Sequence, residues 1–451
     1  MLIEALDELV DGTKGAAFPL IRADLHLSYT QVGLLIAVPL LVGGLIELPL
    51  GILAGYGARR NQLVLAGGVI FGGSLIVVAF AWSFWVLLAG LIAFFPASGA
   101  FVSLTQAALM DADPPVEPPR QASPPGVDQP GVDQPEVDQP GVDQPGVDQS
   151  AGARERREAV QQQRMAAWNL AGSTGAVAGP ILLAVVLTAG GSWRWAYLLL
   201  AGVTGLAVAI AAVGGPARVA SSPPSTEPSR GHDRGPVDEE AQDEDEDEDE
   251  DDDERATLRE ALAAVRDGNV ARWLILLEVT DLLLDVLTGY VGIYLVDVVH
   301  ASPADAALGV AVRLGAGLAG DALFVVVSRR ISGRVALTIS ATAAAVLYPA
   351  FLLVPWFGAK LAVLAALSVV TACWYPVVQA GLYGSLPGRS GIAVSWSSAA
   401  GLVGAVGPLL VGVIAQRAGL TWALAGLVVV PVAVLMIAPN RAGRRSRSVM
   451  R

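Results

Sequence analysis

Glu4, Asp7, Glu8 and Asp11 crowd four carboxylates into the first eleven positions. On a helix they share one face with Gly15, within an arc of about 100°. Far downstream, Glu278, Asp281 and Asp285 with Gly289 repeat that face, and Glu47 and Asp321 add one acid to each series. Only Lys14 and Arg313 stand against these nine acids in the same apolar stretches. Crowded carboxylates in a low dielectric favour their neutral form, through desolvation and mutual repulsion. That is the chemistry of a proton relay, and it also suits a cationic substrate.

Other chemistries find little support. Three histidines (His26, His232, His300) form no close pair, and the single Cys373 can make no intrachain disulfide. No Gly-rich nucleotide loop with a following Lys and no Ser/His/Asp set is visible, so neither an enzyme nor an ATP-driven pump is expected. No cofactor or metal is expected either. The net charge of -13 is owed to residues 238–254, where 15 of 17 are acidic. Without that run the chain is nearly neutral, which gives no support to a nucleic-acid partner.

The elements that carry the acids are hydrophobic. The 451 residues are 53% hydrophobic and 16% charged, against roughly a quarter charged in a soluble domain. Uncharged runs at 63–82, 84–109 and 335–357 approach or exceed the roughly 20 residues that cross a bilayer. An all-α polytopic membrane protein follows. Apolar stretches between Gly, Pro and charge punctuation predict helices at 2–22, 29–55, 61–82, 84–109, 160–189 and 192–213. A second set is predicted at 269–297, 303–327, 335–355, 358–386, 391–417 and 420–438. The first helix, with five charges by position 14 and no signal-peptide pattern, would fail a hydropathy test alone; its match to the seventh carries it.

That match is part of an internal repeat. At one constant spacing Glu4 pairs with Glu278, Asp7 with Asp281, Asp11 with Asp285, His26 with His300, Ser28 with Ser302 and Glu47 with Asp321. Gln106 pairs with Gln379, Trp168 with Trp396, and Gly179-Pro180 with Gly407-Pro408. The spacing drops between Gln106 and Trp168, as an insertion there would require, and five tandem pentapeptides of the form GVDQP (126–150) lie in that interval. Two pseudo-symmetric six-helix halves are expected, 1–213 and 263–438, with a central site between them. Segment 114–153 reads as a disordered insert, 214–262 as an acidic disordered linker, and 439–451 as a basic tail. Arg59, Arg60, Arg154 to Arg157, Arg329, Arg330 and Arg334 fall on the tail's side of a twelve-helix trace. Both termini are therefore expected to be cytoplasmic, and Arg22, Arg194 and Lys360 are left as isolated charges in opposite loops.

An ionisable group at the bilayer centre costs about 2.5–3.5 kcal/mol on insertion scales, so each needs a reason. Asp7, Asp11, Asp281 and Asp285 are assigned proton or cation coupling, supported by Glu47, Asp321 and Glu278, with Lys14 and Arg313 as charge partners that can also meet substrate. Gln106 and Gln379 are candidate hydrogen-bonding groups, with Trp168, Tyr290, Trp374, Tyr375, Tyr383 and Trp396 as aromatic neighbours. The alternative is structural: ion pairs such as Lys14–Asp285 or Arg313–Asp321 tying the halves together, and aromatics acting as packing anchors. The glycines of 172–180 and 401–408 read as either a hinge or close packing.

These features resemble the major facilitator superfamily of secondary transporters. Gly51-Ile-Leu-Ala-Gly-Tyr-Gly-Ala-Arg59-Arg60 is similar to its signature between helices two and three. Gly51, Leu53, Ala54, Arg59 and Arg60 match, while Gly55 and Tyr56 replace an Asp and an Arg. Gly175-Ala-Val-Ala-Gly179-Pro180 is similar to the fifth-helix motif of proton-coupled antiporters. The resemblance implies the twelve-helix fold, alternating access in the cytoplasmic membrane and a gating role for Gly51, Arg59 and Arg60; taken with the acidic faces, proton-coupled export of a small organic molecule by a monomer is expected. Uptake of a small carboxylate is the alternative, and a transporter-like sensor is another.

Overall fold

The computed structural model describes residues 1–54, 58–111, 147–213, 268–385, 396 and 400–437, with side chains of 47–60, 107, 108, 110, 111 and 147–166 outside the description. In lipid every backbone group must be paired within its own segment, so an apolar chain of this length crosses as helices. Among the described residues the chain forms twelve long helical segments. The first six are α1 (Leu2–Asp24), α2 (Tyr29–Ala54), α3 (Ala58–Ala79), α4 (Phe84–Gln106), α5 (Val147–Thr188) and α6 (Trp193–Val213). The second six are α7 (Gly268–Asp297), α8 (Pro303–Val327), α9 (Gly333–Leu353), α10 (Phe357–Ser385), α11 (Ala400–Ala418) and α12 (Leu420–Ile437). Among the described residues, ten of these are long and apolar enough to cross a membrane. The two that fall short, α1 and α7, carry the acidic faces.

The boundaries differ from expectation in informative places. Helix α5 starts at Val147, inside the segment read as an insert, because the Arg/Glu/Gln-rich stretch before Met165 favours helix even where it is too polar for lipid. Helix α3 starts at Ala58, which puts Arg59 and Arg60 in a first helical turn rather than in a loop, and Gly51 lies within α2. Helix α4 contains a π turn at Gly99–Ser103 just after Pro96, which removes a backbone donor. Helix α10 breaks between Thr371 and Trp374.

The repeat is visible in the turns. His26 (φ 53°) and His300 (φ 60°) are the two non-glycine residues with left-handed backbone among those described, and each ends a first-of-half helix. Two residues later a serine caps the next helix. Ser28 Oγ accepts from Gln31 N while Gln31 Oε1 accepts from Ser28 N, a reciprocal capping box, and Ser302 Oγ accepts from Asp305 N.

Small residues let the helices touch. A Cβ on Gly175 would lie 2.0 Å from Ala5 O, one on Gly12 2.1 Å from Ala176 O, and one on Gly179 2.4 Å from Leu9 O, so α1 and α5 meet backbone to backbone. The 172–180 glycines therefore serve close packing in this structure. The halves join through α2 with α11, α5 with α8, and α1 with α7. Outward, the surface is apolar: Ile70, Leu199, Ile339 and Leu410 are exposed. Trp82, Trp85, Trp195, Trp356 and Trp422 are also exposed, all at helix ends on the side of His26, as an interfacial belt requires.

Candidate functional site

A cavity of about 450 Å³ lies between the halves. Helix α1 presents Glu4 and Glu8 to it, α5 presents Asn169 and Ser173, α8 presents Arg313 and Asp321, and α10 presents Ser368, Thr371 and Tyr375. Its lining reaches Glu4 and Asp321, close to the ends of α1 and α8 on the Met1 side. The volume falls within the roughly 300–1,000 Å³ of small-molecule sites.

Arg313 is held from behind. It is 9% exposed, and its Nη2 donates to the Leu284 carbonyl of α7 at 2.8 Å. The next residue, Asp285, lies within electrostatic reach of Arg313 and, across the interface, of Asp11 and Lys14. Glu4 lies against Gly172, where a Cβ would come within 2.7 Å of its Oε1. Glu278 stands in the same relation to Gly404 in the second half, where a Cβ would lie 2.3 Å from its Oε2.

The predicted acids occupy distinct settings. Asp7 accepts from Ser98 Oγ at 2.7 Å, and Lys14 pairs with Asp11, one turn away, while lying over the Phe95 ring at 4.7 Å. Lys14 thus bonds within its own helix and not to Asp285, and Arg313 forms no ion pair with Asp321 among the described residues. Asp7, Asp11, Asp281 and Asp285 sit off the cavity wall, whereas Asp321 is on it. Of the predicted substrate groups, Arg313 and Tyr375 line the cavity, and Gln379 Nε2 donates to Tyr375 Oη at 2.8 Å. Tyr290 is buried instead at the junction of halves, donating to Pro408 O at 2.9 Å; Trp374 is buried with Nε1 on Ser340 Oγ. Tyr383 is exposed, and Gln106 and Trp396 are half-buried, with neither on that wall. The side chains of Glu47, Arg59 and Arg60, and the surroundings of Gly51, lie outside the description.

On the His26 side the halves are laced together. Arg22 of α1 and Asp297 of α7 pair at 2.5 Å, Tyr29 Oη donates to the same Asp297 oxygen at 2.9 Å, and the Arg22 guanidinium stacks 4.1 Å over the Tyr29 ring. Gln416 of α11 accepts from Tyr29 N at 3.0 Å. These contacts tie α1 and α2 to α7 and α11 on that side.

Arg22, Arg194 and Lys360, expected as isolated loop charges, are each structural. Arg194 binds Asp24 (2.6 Å) and the carbonyls of Ala79 and Ala81 (2.8 Å each), joining α1, α3 and α6. Lys360, 3% exposed, donates to Phe351 O (2.5 Å), Leu352 O (3.2 Å) and Tyr294 Oη (3.1 Å), beneath two aromatic rings. Glu4 and Glu8, outside the set assigned to coupling, stand on the wall, and Gly172 lies across from them.

Comparison with known proteins is consistent with this geometry. The family model of the Major Facilitator Superfamily matches residues 2–120 and 157–383. Similar solved structures include a bacterial homolog to the human lysosomal transporter Spinster in an inward-facing and unoccupied conformation, 14% identical, with a TM-score of 0.64 over 97% of this chain and 94% of that one. The nucleoside transporter NupG is 12% identical, with a TM-score of 0.64 over 97% of this chain and 95% of that one. No curated protein matches in sequence.

Proposed function

Because the chain belongs to the Major Facilitator Superfamily, a family of membrane transporters rather than enzymes, we propose that it is a proton-coupled secondary transporter exporting a small organic molecule. It works as a monomer in the cytoplasmic membrane, with both termini in the cytoplasm, by alternating access around the cavity between its halves. The observation that carries this reading is the cavity itself, lined by charge at the Met1 side between halves that Arg22, Tyr29 and Asp297 tie together on the other. The Arg-rich segments on the Met1 side support the orientation. Asp7, Asp11, Asp281 and Asp285, with Glu278 and Asp321, supply coupling carboxylates, and Glu47 joins them on the strength of its match to Asp321.

A second reading, uptake of a small carboxylate, is favoured by Arg313, whose guanidinium faces the cavity with one bond spent on Leu284. Reconstitution into liposomes separates the two. Export predicts that an imposed pH gradient drives movement of tetraphenylphosphonium, and that Asp281→Asn uncouples it while binding persists. Gradient-driven movement of benzoate, lost in Arg313→Gln, would replace export by uptake. Movement of either probe at a rate indifferent to the gradient would overturn proton coupling.

A further inference from the structure

Across the cavity, carboxylates of the first half stand opposite a guanidinium of the second, with Asp321 further along the α8 wall. On the first half, Glu4 and Glu8 project from α1, and Glu8 accepts no hydrogen bond among the described residues. On the second half, Arg313 is more than nine-tenths buried, yet its guanidinium lines the cavity, with the Leu284 carbonyl as its one hydrogen-bond partner among the described residues. Asp285 acts on the charge of Arg313 from behind but takes no hydrogen bond from it among the described residues, so the guanidinium keeps donors for a planar carboxylate taken bidentately. Facing carboxylates have the converse demand for a cation. No ion pair between the walls satisfies either side among the described residues.

Resting on the transporter reading above, we propose that the substrate is a zwitterion, whose carboxylate is taken by Arg313 and whose ammonium is taken by Glu8 and Glu4. Neither a simple cation nor a simple carboxylate meets both walls. A cation leaves Arg313 unpaired, and an anion faces Glu4, Glu8 and Asp321. A zwitterion bridges the halves, supplying the ion pair across the cavity that is absent among the described residues. The hydroxyl of Tyr375, which accepts from Gln379, keeps its own proton free to donate toward bound carboxylate.

The test uses the full chain in lipid nanodiscs and ω-amino acids of two to eight carbons. Each is compared with its methyl ester, which keeps only the cation, and its N-acetyl derivative, which keeps only the anion. Thermal stabilisation reads binding whichever way transport runs. At least one chain length is expected to bind about tenfold more tightly than both blocked forms. Arg313→Gln should erase the difference between acid and ester, Arg313→Lys should retain part of it, and Glu8→Gln should erase the difference between amine and N-acetyl form. The conservative Lys variant separates loss of recognition from loss of fold. Esters binding as tightly as the amino acids, or an acid-to-ester ratio unchanged in Arg313→Gln, would overturn the proposal. If no ω-amino acid binds but tetraphenylphosphonium or benzoate is moved in liposomes, the zwitterion fails and the transporter reading stands. If none of these compounds is bound or moved, both fall.

Discussion

Arg22 and Asp297 meet at 2.5 Å across the boundary between the two halves, on the side away from Met1, and Tyr29 binds the same carboxylate oxygen. Both partners are only partly exposed, and the contact couples the outer end of α1 to that of α7. It does not obey the internal repeat, since the repeat partner of Arg22 is Val296. A contact between non-equivalent positions holds one face shut without holding the other.

Breaking that pair should loosen the His26 face. Arg22→Gln is expected to shift the population toward an outward-open form by a factor of about five, since a partly exposed pair contributes about 1 kcal/mol or less. A cysteine in place of Ser28 should then react faster with a membrane-impermeant maleimide. The double exchange Arg22→Asp with Asp297→Arg should restore protection; if it reacts as fast as the single variant, the pair does not hold the face.

Close packing of α1 on α5 makes a sharp prediction for glycine. Gly175→Ala places a methyl 2.0 Å from Ala5 O and must push two backbones apart, at a cost of about 1–3 kcal/mol. Gly401→Ala, where nothing lies within 4 Å, should be close to neutral. Thermal unfolding in detergent compares the two, and equal melting temperatures would refute the packing role.

Lys360 should behave as a structural cation. Lys360→Met removes the donor that satisfies the Phe351 and Leu352 carbonyls, and a loss of about 1–3 kcal/mol is expected. Because Lys360 does not line the cavity, ligand affinity should be unchanged in protein that remains folded. A selective loss of binding with normal stability would assign it to substrate instead.

The serine caps offer a milder test. Ser302→Ala should cost about 1 kcal/mol through loss of the bond from Asp305 N, and Ser28→Ala about the same. Faster amide exchange confined to the first turns of α8 and α2 is the expected signature; exchange spread over whole helices would point to a wider role.

Helix number, the two halves and the acidic faces of α1 and α7 were all legible in the chain alone, for a physical reason. A bilayer demands long apolar helices, and a repeated unit repeats its pattern: His26 and His300 have the same unusual backbone because the same turn was built twice. Charge that departs from the apolar rule is likewise conspicuous, so Asp7, Asp281 and Arg313 stood out without coordinates.

Only tertiary structure decided which charges face each other. Arg22, Arg194 and Lys360 read identically in sequence, as single cations near helix ends, yet one bridges the halves, one ties three helices of one half, and one is buried under aromatic rings. Likewise Lys14 turned to Asp11 in its own helix, and Glu4 and Glu8 came to the cavity because Gly172 leaves room beside them. Spacing along a helix tells which side chains share a face. Which neighbour that face meets depends on contacts between segments hundreds of residues apart, and those are set by how twelve helices pack at once.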